Sequence, residues 1–523
     1  MMTPPQTAPQ SSTALRIVGS VLLLVILSIA LVNLVLPTIL TIRDSFYNVQ
    51  IISRSAPFIG LQNYAKLISD PSLWQAIKHF LLNSLVQIVI VSLVPLILSL
   101  AVQQQSKRVR SILNALFSLP IAFYAPVSAM LLITIGYQQF ELASILSILN
   151  SLLSFGIAAS LGLFWYGAIW RSNQAAIPPS QQRGPVLISW LVSVMLVLAI
   201  NLQSFMGEHL FNQANSFGSL YFRHFFMFFQ VGVAQALASM LICALALLGL
   251  AASILIIASG LRIFRLSSMP EARPEGSLAG TNLIRLIIAG AIFLLSLWPV
   301  LLLFADFPDG QSSSLARNLG PNILGSLLGA GFSTVIQLGL AYLAALAIGA
   351  MRPLGRQSEW LLLLFAPWLF VGVLPLLGQY FLTARELGLL NSWFALISPI
   401  ALNIPLLFLF TLFFKGQAYN QSAEDGFFRR FILPSWPLVL TSAVVLLLVG
   451  WRSLVWNFIL SNGPEYWNIQ TAQLATSMRG GGDIAQMAIA YFLTFELPIS
   501  IVAALFLIPL VLKLQGFAIR SGR

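Results

Sequence analysis

Apolar residues in this chain gather into twelve long runs, and nearly every charged side chain falls in the gaps between them. In the amino-terminal half the runs cover 17–42, 80–102, 112–136, 151–170, 185–205 and 232–260. In the carboxyl-terminal half they cover 283–305, 322–349, 360–382, 392–414, 432–451 and 485–512. Each is near or above the roughly 20 residues that cross about 30 Å of hydrocarbon at about 1.5 Å per residue. A helix satisfies its own backbone hydrogen bonds in that medium. The pattern therefore predicts an all-α integral membrane protein with twelve transmembrane helices.

Composition agrees: 58% of the 523 residues are hydrophobic, 8% are charged and the mean hydropathy is +0.90, which excludes a water-soluble surface. The charges also orient the chain. The amino-terminal tail and the even-numbered gaps, with the carboxyl end, hold 18 of the 27 Lys and Arg residues but only five of the 15 acids. By the positive-inside rule both termini are cytoplasmic, in a plasma (inner) membrane. The basic residues are scattered over short loops without a dense arm, so nucleic-acid binding is not expected. The single cysteine, Cys243, excludes an intrachain disulfide. The first run lacks a small-residue cleavage site after it and reads as a retained helix. Residues 1–15, rich in Pro, Gln, Ser and Thr, read as a disordered tail.

The sharpest break lies at 266–278, where Pro270, Pro274 and Gly276 interrupt the apolar pattern. It divides the chain into halves at 16–265 and 279–523, each with six runs in the same order: a lone first run, an outer loop, then five more. An even number of spans returns the chain to the same side. Two co-oriented six-helix repeats joined by a cytoplasmic linker are the simplest account.

Several motifs resemble a known family. Phe58-Ile59-Gly60-Leu61-Gln62-Asn63-Tyr64, Asp70-Pro71-Ser72-Leu73-Trp74, Asn83-Ser84 and Ser118-Leu119-Pro120 are similar to one permease subunit of the sugar-type, maltose/glycerol-phosphate-like, ATP-binding-cassette importers. Asn322, Ala341-Tyr342, Gly388-Leu389-Leu390-Asn391-Ser392, Ile432-Leu433-Pro434 and Gly450-Trp451-Arg452 are similar to the partner permease. The resemblance implies a fused two-half permease with the type I importer transmembrane fold and one substrate pathway between the halves. It also implies two partners outside this chain, a cytoplasmic pair of ATP-binding-cassette subunits and an external solute-binding protein meeting the loops 43–79 and 452–484. No Gly-x-x-x-x-Gly-Lys-[Ser/Thr] phosphate loop occurs here. ATP hydrolysis would belong to another chain, and neither a cofactor nor an enzymatic activity is expected of this one.

In that family each half meets its ATPase through a cytoplasmic loop that carries Glu-Ala-Ala, a glycine and then Ile-x-Leu-Pro. The second half keeps Ala423-Glu424-Asp425-Gly426 and Ile432-Leu433-Pro434, with five residues between Gly426 and Ile432, so about one helical turn is missing. In the first half the stretch from Arg171 to Arg183 is shorter still and carries Pro178 and Pro179, which stop a helix. The residues for ATPase coupling are thus Ala423, Glu424, Asp425, Gly426, Arg429, Arg430, Arg171 and Arg183. Shortened loops also fit a permease-derived scaffold or regulatory subunit that has lost coupling and binds other membrane or envelope proteins.

Glu496 is the one acid inside a run, roughly 18 Å from the outer end of a straight helix. A charge there must face protein or water, or be protonated. It reads either as a contact in the pathway, opening an ion-coupled alternative, or as a hydrogen-bonded acid beside a Pro498 kink, with no evident ionisable partner. Gln379, Asn403, Gln337, Trp368 and Tyr166 complete a pathway inventory of amides and aromatic faces suited to a small carbohydrate-like solute. Interhelical hydrogen bonds account for the same amides. His79, His209 and His224 show no metal-ligand spacing, and no metal is expected.

Overall fold

The computed structural model describes residues 12–50, 56–129, 131, 154–173, 183–205, 216–266, 279–304, 321–420, 426–479 and 484–522. The expected tail before residue 12, the linker 267–278, the end of the third run, Ala423 to Asp425 and the loop tip 480–483 lie outside them. The chain is an all-α integral membrane protein, with one short strand pair among the described residues. Its first half contains α1 (Thr13–Asp44), α2 (Pro71–Gln103), α3 (Lys107–Leu116), α4 (Phe155–Asn173), α5 (Arg183–Leu202), α6 (Val231–Ala258) and β1 (Arg262–Arg265). The second contains α7 (Ala279–Leu302), α8 (Asn322–Met351), α9 (Ile404–Asn420), α10 (Leu433–Trp451), α11 (Ile484–Leu514) and β2 (Phe517–Arg520). Among the described residues eight helices are long and apolar enough to cross a membrane. They keep large apolar side chains outward, such as Leu24 and Val32 on α1, Leu85 on α2 and Leu505 on α11, as a hydrocarbon solvent allows.

Two predicted runs of the second half break into short pieces. The run 360–382 breaks into 3₁₀ turns at Gly355–Leu364, Ala366–Trp368 and Leu374–Leu376 before a helix at Leu377–Glu386. Pro367, Gly372 and Pro375 are the cause, since proline removes a donor and biases the residue before it away from the α conformation. In the run 392–414 a 3₁₀ turn at Trp393–Leu396 precedes α9, and no helix forms between Ile397 and Asn403, around Pro399. The third run is described only as α3, a turn at Leu119–Ala122 and the residues just after it.

The halves exchange elements reciprocally. The first helix of each crosses to the other: α1 packs on α8, and α7 packs on α2 and α4. The last helix does likewise, α6 lying on the 3₁₀ segment 355–368 and α11 on α3 and the turn 119–122. The strands finish the exchange, β1 packing on α9 and β2 on α4, and they pair antiparallel with Ile263 opposite Ile519.

Proline chemistry fastens one of these crossings. Pro37 has no N–H for the carbonyl of Asn33, and a π-turn at Leu31–Val35 precedes it. The freed carbonyl accepts the Tyr380 hydroxyl at 2.8 Å. The Asn33 side chain donates to Pro399 O at 2.7 Å and accepts from Ala401 N at 2.9 Å, so α1 is pinned where the tenth run fails to be helical.

Candidate functional site

Polar side chains inside the apolar runs are the first candidates for a pathway, and most of them are occupied by protein partners. Asn403 accepts from Leu406 N at 3.1 Å, capping α9, and donates to Gln337, which in turn donates to Ile400 O at 3.0 Å. Gln379 donates to Asp44 Oδ2 at 2.7 Å and Trp368 donates to Thr38 Oγ1 at 3.0 Å. Both bonds join α1 to the second half. The arrangement follows from the medium, where a polar group is stable only with a partner.

Glu496 is buried at the end of a π-turn, Phe492–Glu496, which takes up the strain ahead of Pro498. Its carboxylate accepts from Trp451 Nε1 at 2.9 Å, from the Gln470 amide, and from Arg452 Nε at 3.2 Å in an ion pair. The sequence showed no ionisable mate; the structure supplies Arg452, because the helix break after Trp451 turns that guanidinium inward. Arg452 continues to Ala122 O at 2.7 Å and Ser500 Oγ at 3.0 Å. The cluster therefore clasps the first half.

A cavity of about 500 Å³ lies between the halves, walled by α2, α4 and α5 on one side and by α9, α10 and α11 on the other. The strand pair closes one end, through Ile263, Phe517 and Ile519. α4 approaches α2 closely because Gly162 faces Pro95, whose ring a Cβ would overlap. Of the six pathway candidates only Tyr166 lines this cavity. Gln87, Asn114, Trp165 and Gln515 line it too, within a largely aliphatic wall. It can take a ligand of small-molecule size and offers few polar contacts.

The coupling candidates separate. Gly426 and Arg429 are exposed, while Arg430 is buried and donates to Ala418 O at 2.5 Å. Arg183 opens α5. Arg171 is buried, with Nε donating to Phe517 O at 3.0 Å, so its guanidinium points to the cavity floor rather than to an outer surface. Sequence reasoning missed Arg452, Asp44 and Asn33. Each stands at or within an apolar run, and that position was the available signal.

No family model matches the chain. It is 28% identical over 166 residues to the polygalacturonan/rhamnogalacturonan transport system permease protein YtcP of Bacillus subtilis (strain 168), over 29% of this chain and 57% of that protein. The chain thus spans a little over half the length of that relative.

Proposed function

We propose that this chain is the membrane-spanning permease component of an ATP-binding-cassette importer for a saccharide, with two six-span permease halves, 16–265 and 279–523, fused through a linker at 266–278. The reciprocal exchange of first helices, last helices and strands around a cavity between the two halves of the chain carries this reading. Two co-oriented repeats related by a two-fold axis produce such paired contacts, and alternating access would come from the halves rocking about the cavity. The likeness to a transport-system permease supports the same class and directs the cargo toward a polygalacturonan or rhamnogalacturonan fragment.

In this reading both termini and the strand-closed end are cytoplasmic. An ATPase subunit docks on the second half near Ala423, Glu424, Asp425, Gly426 and Arg429, and a solute-binding protein delivers cargo from outside. The ion-coupled alternative loses ground because every oxygen of Glu496 is already engaged. The scaffold alternative keeps one observation in its favour, the burial of Arg171 away from any docking face.

Purification of the complex from native membrane tests the proposal. Co-elution of a nucleotide-binding subunit, with ATP hydrolysis stimulated by a saccharide-loaded binding protein, is expected. A stable complex of membrane or envelope proteins lacking any nucleotide-binding subunit would overturn it in favour of the scaffold.

A further inference from the structure

Two buried guanidinium groups stand near the strand-closed end of the cavity, Arg171 lining it and Arg110 on the neighbouring α3, and no acid pairs with either among the described residues. Arg110 on α3 and Arg171 on α4 are 3% and 6% exposed. Each lies within electrostatic reach of the other. Neither forms an ion pair among the described residues.

The polar groups around them are equally unmatched. Nη1 of Arg110, both side-chain amide atoms of Gln103 and Nε2 of Gln515 are buried without a hydrogen-bond partner among the described residues. Gln103 and Arg171 meet at Gly167: a Cβ there would stand 2.7 Å from Gln103 Nε2 and 3.2 Å from Arg171 Nη1, so only a glycine lets both donors pack directly against the α4 backbone. Gln515 lines the cavity with Arg171 and Asn114, and its Oε1 accepts from Ser111, the residue after Arg110. Asn114 in turn donates to Arg110 O at 2.9 Å.

Two like charges buried together are unfavourable unless something negative joins them, and orphaned N–H groups add to the cost. A carboxylate or phosphate answers both needs, since its oxygens accept charge-assisted bonds from several donors at once. We propose that Arg110 and Arg171, with Gln103 and Gln515, form an anion-binding site at the closed end of the cavity, which takes the acidic group of a ligand whose body fills the space above. The acidic group can reach the site on a water-soluble acid or on the headgroup of an anionic lipid. The site does not depend on transport, because binding is read without ATPase or uptake.

The test uses the purified full-length chain and its thermal unfolding midpoint. In a neutral detergent, glucuronate and inorganic phosphate are titrated against glucose at constant ionic strength. In nanodiscs, phosphatidylcholine is compared with and without phosphatidylglycerol. A saturable rise of the midpoint with the soluble acids identifies a solute, and a rise only with phosphatidylglycerol identifies a lipid headgroup; either supports the site. The Arg110→Gln/Arg171→Gln double variant should lose the rise. Gly167→Ala keeps both charges but pushes Gln103 and Arg171 off the α4 backbone, and should weaken the apparent affinity by about tenfold or more, as loss of a charge-assisted contact does. No anion effect in either arm overturns the proposal, as does an equal rise in the double variant. Where that variant fails to fold, unchanged binding by Gly167→Ala overturns it.

Discussion

Just after its fifth span each half reaches across to an interrupted span of the other, and the two do so with different chemistry. Gln203, following α5, donates to Phe370 O at 2.8 Å and accepts from Gly372 N at 2.6 Å. Arg452, following α10, donates to Ala122 O and Ile121 O but carries a charge, and Glu496, Trp451, Gln470 and Ser500 gather around it. A neutral amide performs the capture with no supporting cast. The guanidinium requires a buried carboxylate, and that carboxylate requires further donors. The one acid within an apolar run is thus explained by the partner it neutralises.

The comparison can be broken most severely at Arg452. Arg452→Gln makes the two clasps alike but strands Glu496, and about 3–5 kcal/mol of stability should be lost, as for any buried pair cut on one side. Adding Glu496→Gln should restore most of it. Denaturant or thermal unfolding of the solubilised chain reads both, and a single variant as stable as the double would remove the ion pair from the account. Gln203→Ala should cost less, about 1–3 kcal/mol, since it strands only the Gly372 amide and the Phe370 carbonyl. Equal losses at the two sites would show that charge adds nothing.

A smaller effect is expected at the α1 crossing. Tyr380→Phe removes the donor to the carbonyl freed by Pro37, at about 1 kcal/mol, and the same unfolding measurement checks it. The smallest lies at the helix entrances. Asp70 caps α2 through Ser72 N at 2.8 Å and faces His224 at 3.3 Å and Arg223, whereas the entrance of α8 is neutral, Asn322 donating to Pro464 O and Trp467 O. Burial holds the His224 imidazole below its ordinary value of 6.5, against the opposing pull of the Gln230 hydrogen bond and the Asp70 charge. A depressed value means the unfolded chain binds the extra proton first, so stability is full above pH 6.5 and declines as pH falls below it. Thermal midpoints between pH 7 and pH 5 should fall less steeply in His224→Gln than in the parent. Parallel slopes would assign the decline to other groups.

The apolar runs were legible because hydrocarbon tolerates almost nothing else over that length, and eight of them became long helices, six within about four residues of the expected ends and two, Pro71–Gln103 and Phe428–Leu460, longer at one end. The breaks at 360–382 and 392–414 were legible too, at Pro367, Gly372, Pro375 and Pro399, but hydropathy averages over such residues. Partnerships were not. Arg452 reads locally as a loop residue, and its carboxylate lies 44 positions further on. Gln337, Gln379 and Asn403 look alike as amides in apolar surroundings, while only the packed structure shows that each is engaged by a neighbour. Of the pathway inventory, Tyr166 reached the cavity because it sits on the face of α4 turned to the opposite half.

The short ladder of β1 and β2 has a consequence for synthesis. Each strand follows a long helix, β1 after α6 and β2 after α11, and its hydrogen-bonding mate lies on the other half of the chain. A half produced alone would end in a bare strand edge, an invitation to pair with whatever chain is nearest. One polypeptide that carries both strands keeps them in equal number and within reach of each other.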